Sequence, residues 1–257
     1  MTSFELMETM RSRRDLYPLG RLDQMKWQDA KDLTIEAMQK YGYVWWEQGT
    51  HEQAMKLRDF LGHHVYTTDV KAKADSKAML SKMDTIGPHT DHHDVDFVLW
   101  YVHQHCKQGG GETHLYRFDD VLDSCAEGPG SLQWFHPKYR NLKCKEHKVF
   151  EGDPGEHLVV QRTGQKHSIF RNLETNLVDV EKSLVYYSFW LADHQNDSDN
   201  QAWFKRLQEK IEQTVPSVGF LPKDSVFIFD NRLNLHARTA YHDSSRHLER
   251  HWIKAVL

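Results

Sequence analysis

The residues of this sequence best suited to bind a metal lie in one short stretch, GPHTDHHDVDF, at residues 87–97. Its first histidine and first aspartate, His89 and Asp91, are two positions apart, so on an extended segment both side chains point to the same side and can approach one ion. The same stretch holds four more residues of these types: His92, His93, Asp94 and Asp96. A solvated turn would have a similar composition, so the stretch alone leaves a metal pair and a polar turn both open.

A third ligand must come from elsewhere in the chain, because two protein ligands rarely hold a divalent metal. The best candidate is His236 in the segment FDNRLNLHARTAY, since it follows a strand that reads as buried and would be held firmly. Two imidazoles and one carboxylate form the facial triad of non-haem Fe(II) oxygenases, which leaves coordination positions open. An iron centre would then consist of His89, Asp91 and His236, while a solvated turn without metal stays open from the residues alone.

Three amphipathic helices are predicted among the elements that must position these residues. The first has apolar residues at helical spacing and a glycine at its C-cap: Ala30, Leu33, Ala37, Tyr41 and Gly42. The second begins at a capping box of Thr50 and Gln53 and ends at Gly62. The third lies in NDSDNQAWFKRLQEKIEQTV, and its apolar stripe consists of Phe204, Leu207, Ile211 and Val215.

The strand predictions are concentrated in the middle and at the end of the chain, where β-branched and aromatic residues are frequent. They are YVWW at 43–46, FVLWYVHQHC at 97–106, HLVVQR at 157–162, SLVYYSFW at 183–190, and the later segments SVFIFDNRLNLH and RHWIKAVL. Helices that flank a β-rich middle and end favour a single α+β domain built on an antiparallel barrel or sandwich.

Composition excludes several classes of protein. The 257 residues carry a formal net charge of −4 with scattered Lys and Arg, which argues against nucleic acid as a partner. No apolar run approaches the ~18–20 residues of a membrane span, and the first residues lack the apolar core of a signal peptide. Three cysteines without a CxxC pair favour reduced thiols, so we expect a cytoplasmic protein.

Five segments, taken in order, resemble the taurine dioxygenase-like and clavaminate-synthase-like family of Fe(II)- and 2-oxoglutarate-dependent oxygenases. They are YGYVWWEQG with LRDFLGHHV, PHTDHHDVDF, LWYVHQHCKQGGGETHLYRFDDVL, HLVVQRTGQKHSIFRN, and DSVFIFDNRLNLHARTAY with RHLERHWI. The likeness covers residues 30–257 and implies one oxygenase domain over residues 1–257, with an N-terminal extension at 1–29. The implied fold is α+β, with a double-stranded β-helix core of the jelly-roll, cupin-like kind flanked by helices.

The resemblance also implies roles for particular residues. The iron ligands would be His89, Asp91 and His236, as the residues themselves suggest. Arg246 follows the distal histidine by ten residues and would bind the far carboxylate of 2-oxoglutarate, since an arginine fork matches a carboxylate. Thr113 would donate its hydroxyl to the same oxygen. Arg250 would contact an anionic group of the substrate.

Further residues near these motifs have less specific expectations. Arg238 is family-like and expected to be structural, while Asp230 and Asn231 are expected to shape the turn that presents His236. Five aromatic residues either line a substrate pocket or belong to the core, and burial statistics favour the core. They are Trp45, Trp46, Trp100, Tyr101 and Trp134.

The implied activity is hydroxylation of an aliphatic C–H bond, with Fe(II) as cofactor, O₂ and 2-oxoglutarate as co-substrates, and succinate and CO₂ as products. A free amino acid or similar small carboxylate is the expected substrate. Desaturation, epoxidation or cyclisation would use the same ligands. Halogenation is disfavoured, because Asp91 fills the position that halogenases leave to a small residue. A zinc hydrolase with the same ligands and a non-catalytic binding protein on the same fold are the alternatives from other classes.

Overall fold

The structure, a computed structural model, describes residues 15–72, 81–92, 95–123, 143–145, 166–168, 187 and 198–256. The strands predicted at 157–162 and 183–190 fall outside these residues, apart from Tyr187. His93, Asp94 and Trp134 also lie outside them.

The helices found in the described residues flank the strands. They are α1 (Trp27–Tyr41), α2 (His51–Leu61), α3 (Phe118–Asp123) and α4 (Ser198–Gln213), with a short 3-10 turn at Leu22–Gln24. None of these helices combines the length and the apolar character that a membrane span requires.

Local chemistry sets the ends of the first two helices, as predicted. The Thr50 hydroxyl accepts a hydrogen bond from the Gln53 backbone N–H at 3.1 Å, and the Gln53 side chain accepts from the Thr50 N–H at 2.9 Å. This capping box satisfies two backbone donors that would otherwise lack partners at the start of α2. At the end of α1, Gly42 has a φ of 74°, a left-handed conformation that costs other residues about 1–2 kcal/mol.

The apolar stripe predicted for the third helix is confirmed at two positions and wrong at one. Leu207 and Ile211 are buried on α4. Val215 is 52% exposed, because α4 ends at Gln213 and helical spacing no longer applies beyond that point. The Phe204 side chain is outside the described part of the chain.

The strands form two larger sheets and one small hairpin-like pair. They are β1 (Gly20–Arg21), β2 (Tyr43–Glu47), β3 (Gly62–Lys71), β4 (Ile86–His89), β5 (Phe97–Gln104), β6 (Thr113–Arg117), β7 (Lys143–Lys145), β8 (Lys166–Ser168), β9 (Ser217–Gly219), β10 (Val226–Asp230), β11 (Asn234–Arg238) and β12 (His247–Ala255). One sheet has the order β1-β2-β10-β5-β12-β3 and the other β4-β11-β6-β9, while β7 pairs with β8. Every pairing but β1 with β2 is antiparallel.

The hydrophobic core lies on the six-stranded sheet. Every residue of β10 is buried, and its Ile228 pairs with Val44 on one side and Leu99 on the other. Helices and the second sheet together cover this part of the sheet: α1 packs against β2 and α2 against β3, β5 and β12, while the Phe229 ring of β10 packs against His236 of β11 with ring centres 4.8 Å apart. That double burial explains why the sequence VFIF is apolar without alternation. Each large apolar side chain buried in this way contributes about 1.5–3 kcal/mol.

A cavity separates the two larger sheets. Its walls come from β3, β5 and β12 of one sheet and from β4 and β11 of the other. The predicted α+β fold with a double-stranded β-helix core flanked by helices is therefore confirmed. The cavity lies where the two sheets face each other. The candidate ligands on β4 and β11, His89 and His236, both line it.

The described part of the predicted N-terminal extension, from residue 15 onward, is packed onto this core. Leu16 is buried, and its backbone N–H donates to the Val218 carbonyl at 2.9 Å. Gly20 and Arg21 add the edge strand β1 beside β2. Such a short strand has no periodicity to reveal it, because its position is set by tertiary contacts rather than by its own residues.

Candidate metal centre

Two histidines from distant parts of the chain meet across a strand pair. His89 is the last residue of β4, and His236 is the central residue of β11, where the antiparallel register sets them opposite each other. Their ring centroids are 4.2 Å apart, and both side chains are buried. The rigid backbone pairing of β4 with β11 thus fixes the distance between the two imidazoles.

Asp91 completes a compact group with these histidines. Its Oδ1 lies 4.0 Å from Nε2 of His236, and ligand atoms of the three residues lie within 4.8 Å of one another. Within the described part of the chain, this is the one group of three His, Cys, Asp or Glu residues with ligand atoms so close. The structure therefore brings together the three residues that the sequence proposed as iron ligands.

The other acidic residue described in the opening stretch has a different role. The Asp96 carboxylate accepts a hydrogen bond from the Ala255 N–H at 3.0 Å and pairs with Lys254 at 3.2 Å. It thereby anchors the end of β12. His92 is buried with its ring 6.0 Å from that of Trp252.

Both imidazoles are held in the neutral form that binds metals. Burial lowers the pKa of His89, and burial together with the neighbouring His89 lowers the pKa of His236 well below its ordinary value. Nδ1 of His89 donates to the Gly87 carbonyl at 2.9 Å, which leaves the lone pair on Nε2. Nδ1 of His236 is buried without a hydrogen-bond partner among the described residues. A metal ion would be a partner for the buried ring of His236.

The Asp91 carboxylate is ionised despite its burial. Burial by itself raises the pKa of Asp91, but the charge of Arg250 and the indole N–H of Trp252 lower it below the ordinary value. Arg250 Nη1 donates to Oδ1 at 2.6 Å, and Trp252 Nε1 donates to Oδ2 at 2.8 Å. All three candidate ligands are thus in the protonation state that metal binding needs.

Asn231 holds the backbone of the loop that carries Asp91. Its side-chain oxygen accepts from the Asp91 N–H at 2.6 Å, and its amide donates to the carbonyls of His92 and Val95. The expectation that Asn231 shapes the turn before His236 is therefore wrong: that turn is held by Asp230, which accepts from the Arg232 N–H at 2.8 Å. No local pattern could have shown this, because Asn231 and Asp91 are 140 positions apart.

The cavity beside the triad has about 390 Å³ of space, a volume that includes space open to solvent. Apolar and cationic side chains share its walls with the two histidines. The lining residues are Val70, Ile86, His89, Trp100, His236, Ala237, Arg238, Arg246, Leu248 and Arg250. Arg246 and Arg250 therefore line the same cavity, as their even spacing predicts.

Arg246 is a buried cation that has no anionic partner among the described residues. Its side chain is 7% exposed, and its guanidinium lies 5.5 Å from the ring centre of Tyr241. In the described ranges no carboxylate forms an ion pair with it. Burial and the nearby charge of Arg238 lower the pKa of Arg246 to about 10, which keeps it charged at neutral pH. A buried, unmatched charge is costly, so the position is suited to an anion from outside the protein.

Thr113 and Arg238 lie opposite each other on β6 and β11. Thr113 is buried but is not among the lining residues of the cavity, so its hydroxyl contact with a co-substrate stays a prediction. Arg238 Nη2 donates to the carbonyls of Lys82 and Asp84 at 2.7 and 2.5 Å. These bonds fix the segment that leads into β4, in agreement with the structural role expected for Arg238.

Arg250, which the resemblance assigns to the substrate, is tied to the protein in this structure. Besides Asp91, its Nη2 reaches the Thr68 hydroxyl at 3.3 Å. The sequence had no means of showing these contacts, since they join β12 to the loop after β4 and to β3. Contact between Arg250 and a substrate stays a prediction.

The aromatic candidates divide between the cavity and the core. The Trp100 ring lines the cavity and packs edge-on against His236, with ring centres 5.6 Å apart. Trp45 and Trp46 are core residues whose indole N–H groups donate to Ser225 and Thr34. The Tyr101 hydroxyl donates to Asp224 at 3.1 Å.

Comparison with known proteins rests on structure. No protein-family model matches this sequence, and no curated protein matches it. Among solved structures, the AAD-2 complex with Mn(II) and N-oxalylglycine has a TM-score of 0.65 at 16% identity, covering 91% of this chain and 89% of that one. The non-heme iron oxygenase OrfP, in complex with Fe, succinate and (3S)-hydroxy-L-Arg, has a TM-score of 0.61 at 8% identity, covering 89% and 80%. A taurine dioxygenase from Burkholderia xenovorans has a TM-score of 0.57 at 14% identity, covering 94% and 87%.

The fold is that of these oxygenases. The likeness extends over most of each chain. At these identities the likeness concerns the fold, and the chemistry of the site must be argued from this chain's own residues.

Proposed function

We propose that this protein is an Fe(II)- and 2-oxoglutarate-dependent oxygenase that hydroxylates an aliphatic C–H bond of a small amino acid or similar carboxylate. One observation carries the proposal: a buried group of two imidazoles and one carboxylate lies beside a cavity that it shares with a buried arginine, Arg246, for which the described residues provide no anionic partner. Neither feature by itself distinguishes an oxygenase from another metalloprotein.

The donor set fits Fe(II). His89, Asp91 and His236 are all buried, and their ligand atoms lie within 4.8 Å of one another. Two imidazoles and one carboxylate suit non-haem iron and would leave coordination positions for other molecules. The three side chains would hold the metal from the wall formed by β4 and β11.

Arg246 would bind the far carboxylate of 2-oxoglutarate. A keto diacid that chelates a metal through one end needs a cationic partner at the other, and a guanidinium matches a carboxylate through two parallel hydrogen bonds. An arginine that already had an ion pair within the protein would bind a further anion weakly. Thr113 would add a hydroxyl donor from the adjacent strand.

When bound, the iron and 2-oxoglutarate supply the oxidation chemistry with O₂, and 2-oxoglutarate leaves as succinate and CO₂. The chain's own contribution is to position these groups and to keep water away from them. Val70, Ile86 and Leu248 provide an apolar wall, and the Trp100 ring packs against the His236 ligand. Such walls exclude water from the place where a substrate C–H bond would lie.

An amino acid substrate is supported by the solved structures of this fold. OrfP was solved with a hydroxylated arginine and succinate, and another protein of this fold is a taurine dioxygenase. Desaturation, epoxidation and cyclisation would use the same residues and would differ only in the product.

The test is an anaerobic titration of the Fe(II)-loaded protein with 2-oxoglutarate, in which the metal-to-ligand charge-transfer absorption is measured. We expect the band to appear with the unmodified protein and to be absent with Asp91→Ala. Admission of air with a panel of amino acids should then give succinate in proportion to the substrate consumed. Hydrolysis of an ester or amide by the zinc-loaded protein, with no absorption band from the iron form, would contradict the proposal and favour a hydrolase.

A further inference from the structure

The carboxylate of Asp91 receives one hydrogen bond on each of its oxygens, both from the same strand. Arg250 Nη1 donates to Oδ1 at 2.6 Å, and Trp252 Nε1 donates to Oδ2 at 2.8 Å. Residues two apart on a strand point to the same face, so β12 presents both donors to the cavity side together. A carboxylate has about four lone-pair positions, so two donors leave room for a metal bond.

The two donors are themselves held rigidly. β12 lies in the interior of the six-stranded sheet, where Arg250 pairs with Trp100 of β5 and Thr68 of β3, and Trp252 with Val98 and Tyr66. The Arg250 guanidinium lies 4.9 Å from the centre of the Trp252 ring. Neither donor can turn away from Asp91 without disturbing this packing.

We propose that Arg250 and Trp252 are positioning residues that orient the Asp91 carboxylate for the metal, and that Arg250 belongs to the metal site rather than to the substrate. The proposal rests on the function proposed above and deepens it. Asp91 follows the end of β4 and is carried by a loop, whereas His89 and His236 are held by paired strands. Its side chain is therefore the one ligand of the three whose position strand pairing does not fix. The hydrogen bonds from Arg250 and Trp252 of β12 fix its orientation instead.

Partners of this kind orient metal ligands and commonly change metal affinity by about 10- to 100-fold when removed. An arginine that held only the substrate would make a different prediction, because metal binding in the absence of substrate would not depend on it. The two roles can be separated by measuring metal affinity alone.

The experiment is a titration of the metal-free protein with Mn(II), in which the free ion is counted by electron paramagnetic resonance. Trp252→Phe keeps an aromatic ring and removes one donor, and Arg250→Lys keeps the positive charge and removes the planar fork. Repulsion between that charge and the metal is thus unchanged in Arg250→Lys. We expect each variant to bind Mn(II) about 10- to 100-fold more weakly than the unmodified chain.

Matched controls come from outside the site. Trp45→Phe removes an indole donor that bonds to Ser225, and Arg232→Lys alters an arginine that pairs with Asp230. Both controls should keep the Mn(II) affinity of the unmodified chain. Thermal unfolding of the metal-free variants, measured beside each titration, separates a loss of folded protein from a loss of affinity.

Three outcomes decide the matter. Weaker Mn(II) binding by both site variants, with intact folding and unchanged controls, supports the positioning role. Unchanged affinity in Trp252→Phe and Arg250→Lys would overturn it and return Arg250 to the substrate. No Mn(II) binding by the unmodified chain would overturn the proposed function as a whole, and the positioning role with it.

Discussion

Arg246 and Arg250 are four positions apart and both buried, yet only Arg250 has an anionic partner within the described residues. Arg250 neutralises Asp91, so this pair is a fixed part of the protein. Arg246 faces the cavity beside a tyrosine ring and a second arginine, an arrangement that costs stability in the absence of an anion. At the scale of residues, this difference distinguishes Arg250, which stabilises the site, from Arg246, which is available to bind a ligand.

Replacing Arg246 should therefore weaken the binding of 2-oxoglutarate without weakening the fold. A charge-assisted hydrogen bond contributes about 1.5–3 kcal/mol, so Arg246→Gln should raise the dissociation constant about 10- to 100-fold. Anaerobic titration of the Fe(II) form measures this constant. Arg232→Gln, which alters an arginine paired with Asp230, is the control and should leave it unchanged. An unaltered constant in Arg246→Gln would show that Arg246 does not bind the far carboxylate of 2-oxoglutarate.

His251, on the opposite face of β12 from the cavity, should make stability depend on pH. Burial lowers the pKa of this imidazole to about 4, although the Glu249 carboxylate acts in the opposite direction. In the unfolded chain the ring takes up a proton near pH 6.5. Between these values the unfolded state binds more protons, so the free energy of unfolding falls as the pH drops, on the order of 3 kcal/mol for this residue.

Urea denaturation at a series of pH values within this window measures the effect. His251→Gln has no ring to protonate, so its stability should fall less steeply from about pH 6.5 to about pH 4 than that of the unmodified chain. Parallel curves for the two proteins would show that His251 does not remain neutral in the fold. Burial lowers the pKa of His89 and His236 in the same direction, so the variant should keep part of the dependence.

At the scale of elements, α2 covers the sheet that carries the site. It packs against β3, β5 and β12, and its buried face consists of Ala54, Leu57 and Leu61. Its first residue, His51, contacts Glu249 of β12 at 2.8 Å. The helix thus supports the outer side of the strand that holds Asp91 on its inner side.

Loss of the cap of α2 should destabilise the protein by about 1 kcal/mol. Thr50→Ala removes the hydroxyl that accepts from the Gln53 N–H, which leaves that donor without a partner. Thr50→Ser retains the hydroxyl and is the matched control, with stability close to that of the unmodified chain. The midpoint of urea unfolding measures the difference. Equal midpoints for the alanine and serine variants would show that the cap contributes nothing.

At the scale of the whole molecule, the metal site joins two sheets. His89 and His236 belong to the four-stranded sheet, while Asp91 is held by Arg250 and Trp252 of the six-stranded sheet. A metal ion bound by all three ligands would therefore link the two sheets across the cavity. Ligands that bind only the folded state stabilise it by mass action.

Mn(II) should raise the temperature of thermal unfolding, and N-oxalylglycine, an analogue of 2-oxoglutarate, should raise it further. At a hundredfold excess of ligand over its dissociation constant the gain is about 2.7 kcal/mol. Differential scanning calorimetry measures it. His236→Ala should abolish both gains, since the analogue would bind through the metal. A gain from N-oxalylglycine without Mn(II) would contradict a binding mode that depends on the metal.

The sequence alone determined the features that depend on near neighbours. The capping box at Thr50, the glycine cap at Gly42 and the buried strand VFIF are local patterns, and the structure has each of them. The spacing of His89 and Asp91 is also local. The proposal of His236 as third ligand required the order of motifs along the whole chain, and only the structure shows that His236 lies opposite His89.

The tertiary structure decided which side chains hold the ligands and which stay available. Asn231 holds the Asp91 loop, and Arg250 and Trp252 hold the Asp91 carboxylate, over separations of 140 to 161 positions. Such contacts depend on strand order and register, which bring distant residues to one face of a sheet and leave no periodic trace in the sequence. For the same reason, the sequence RHLER does not distinguish the roles of Arg246 and Arg250. The roles differ because the fold brings Asp91 next to Arg250.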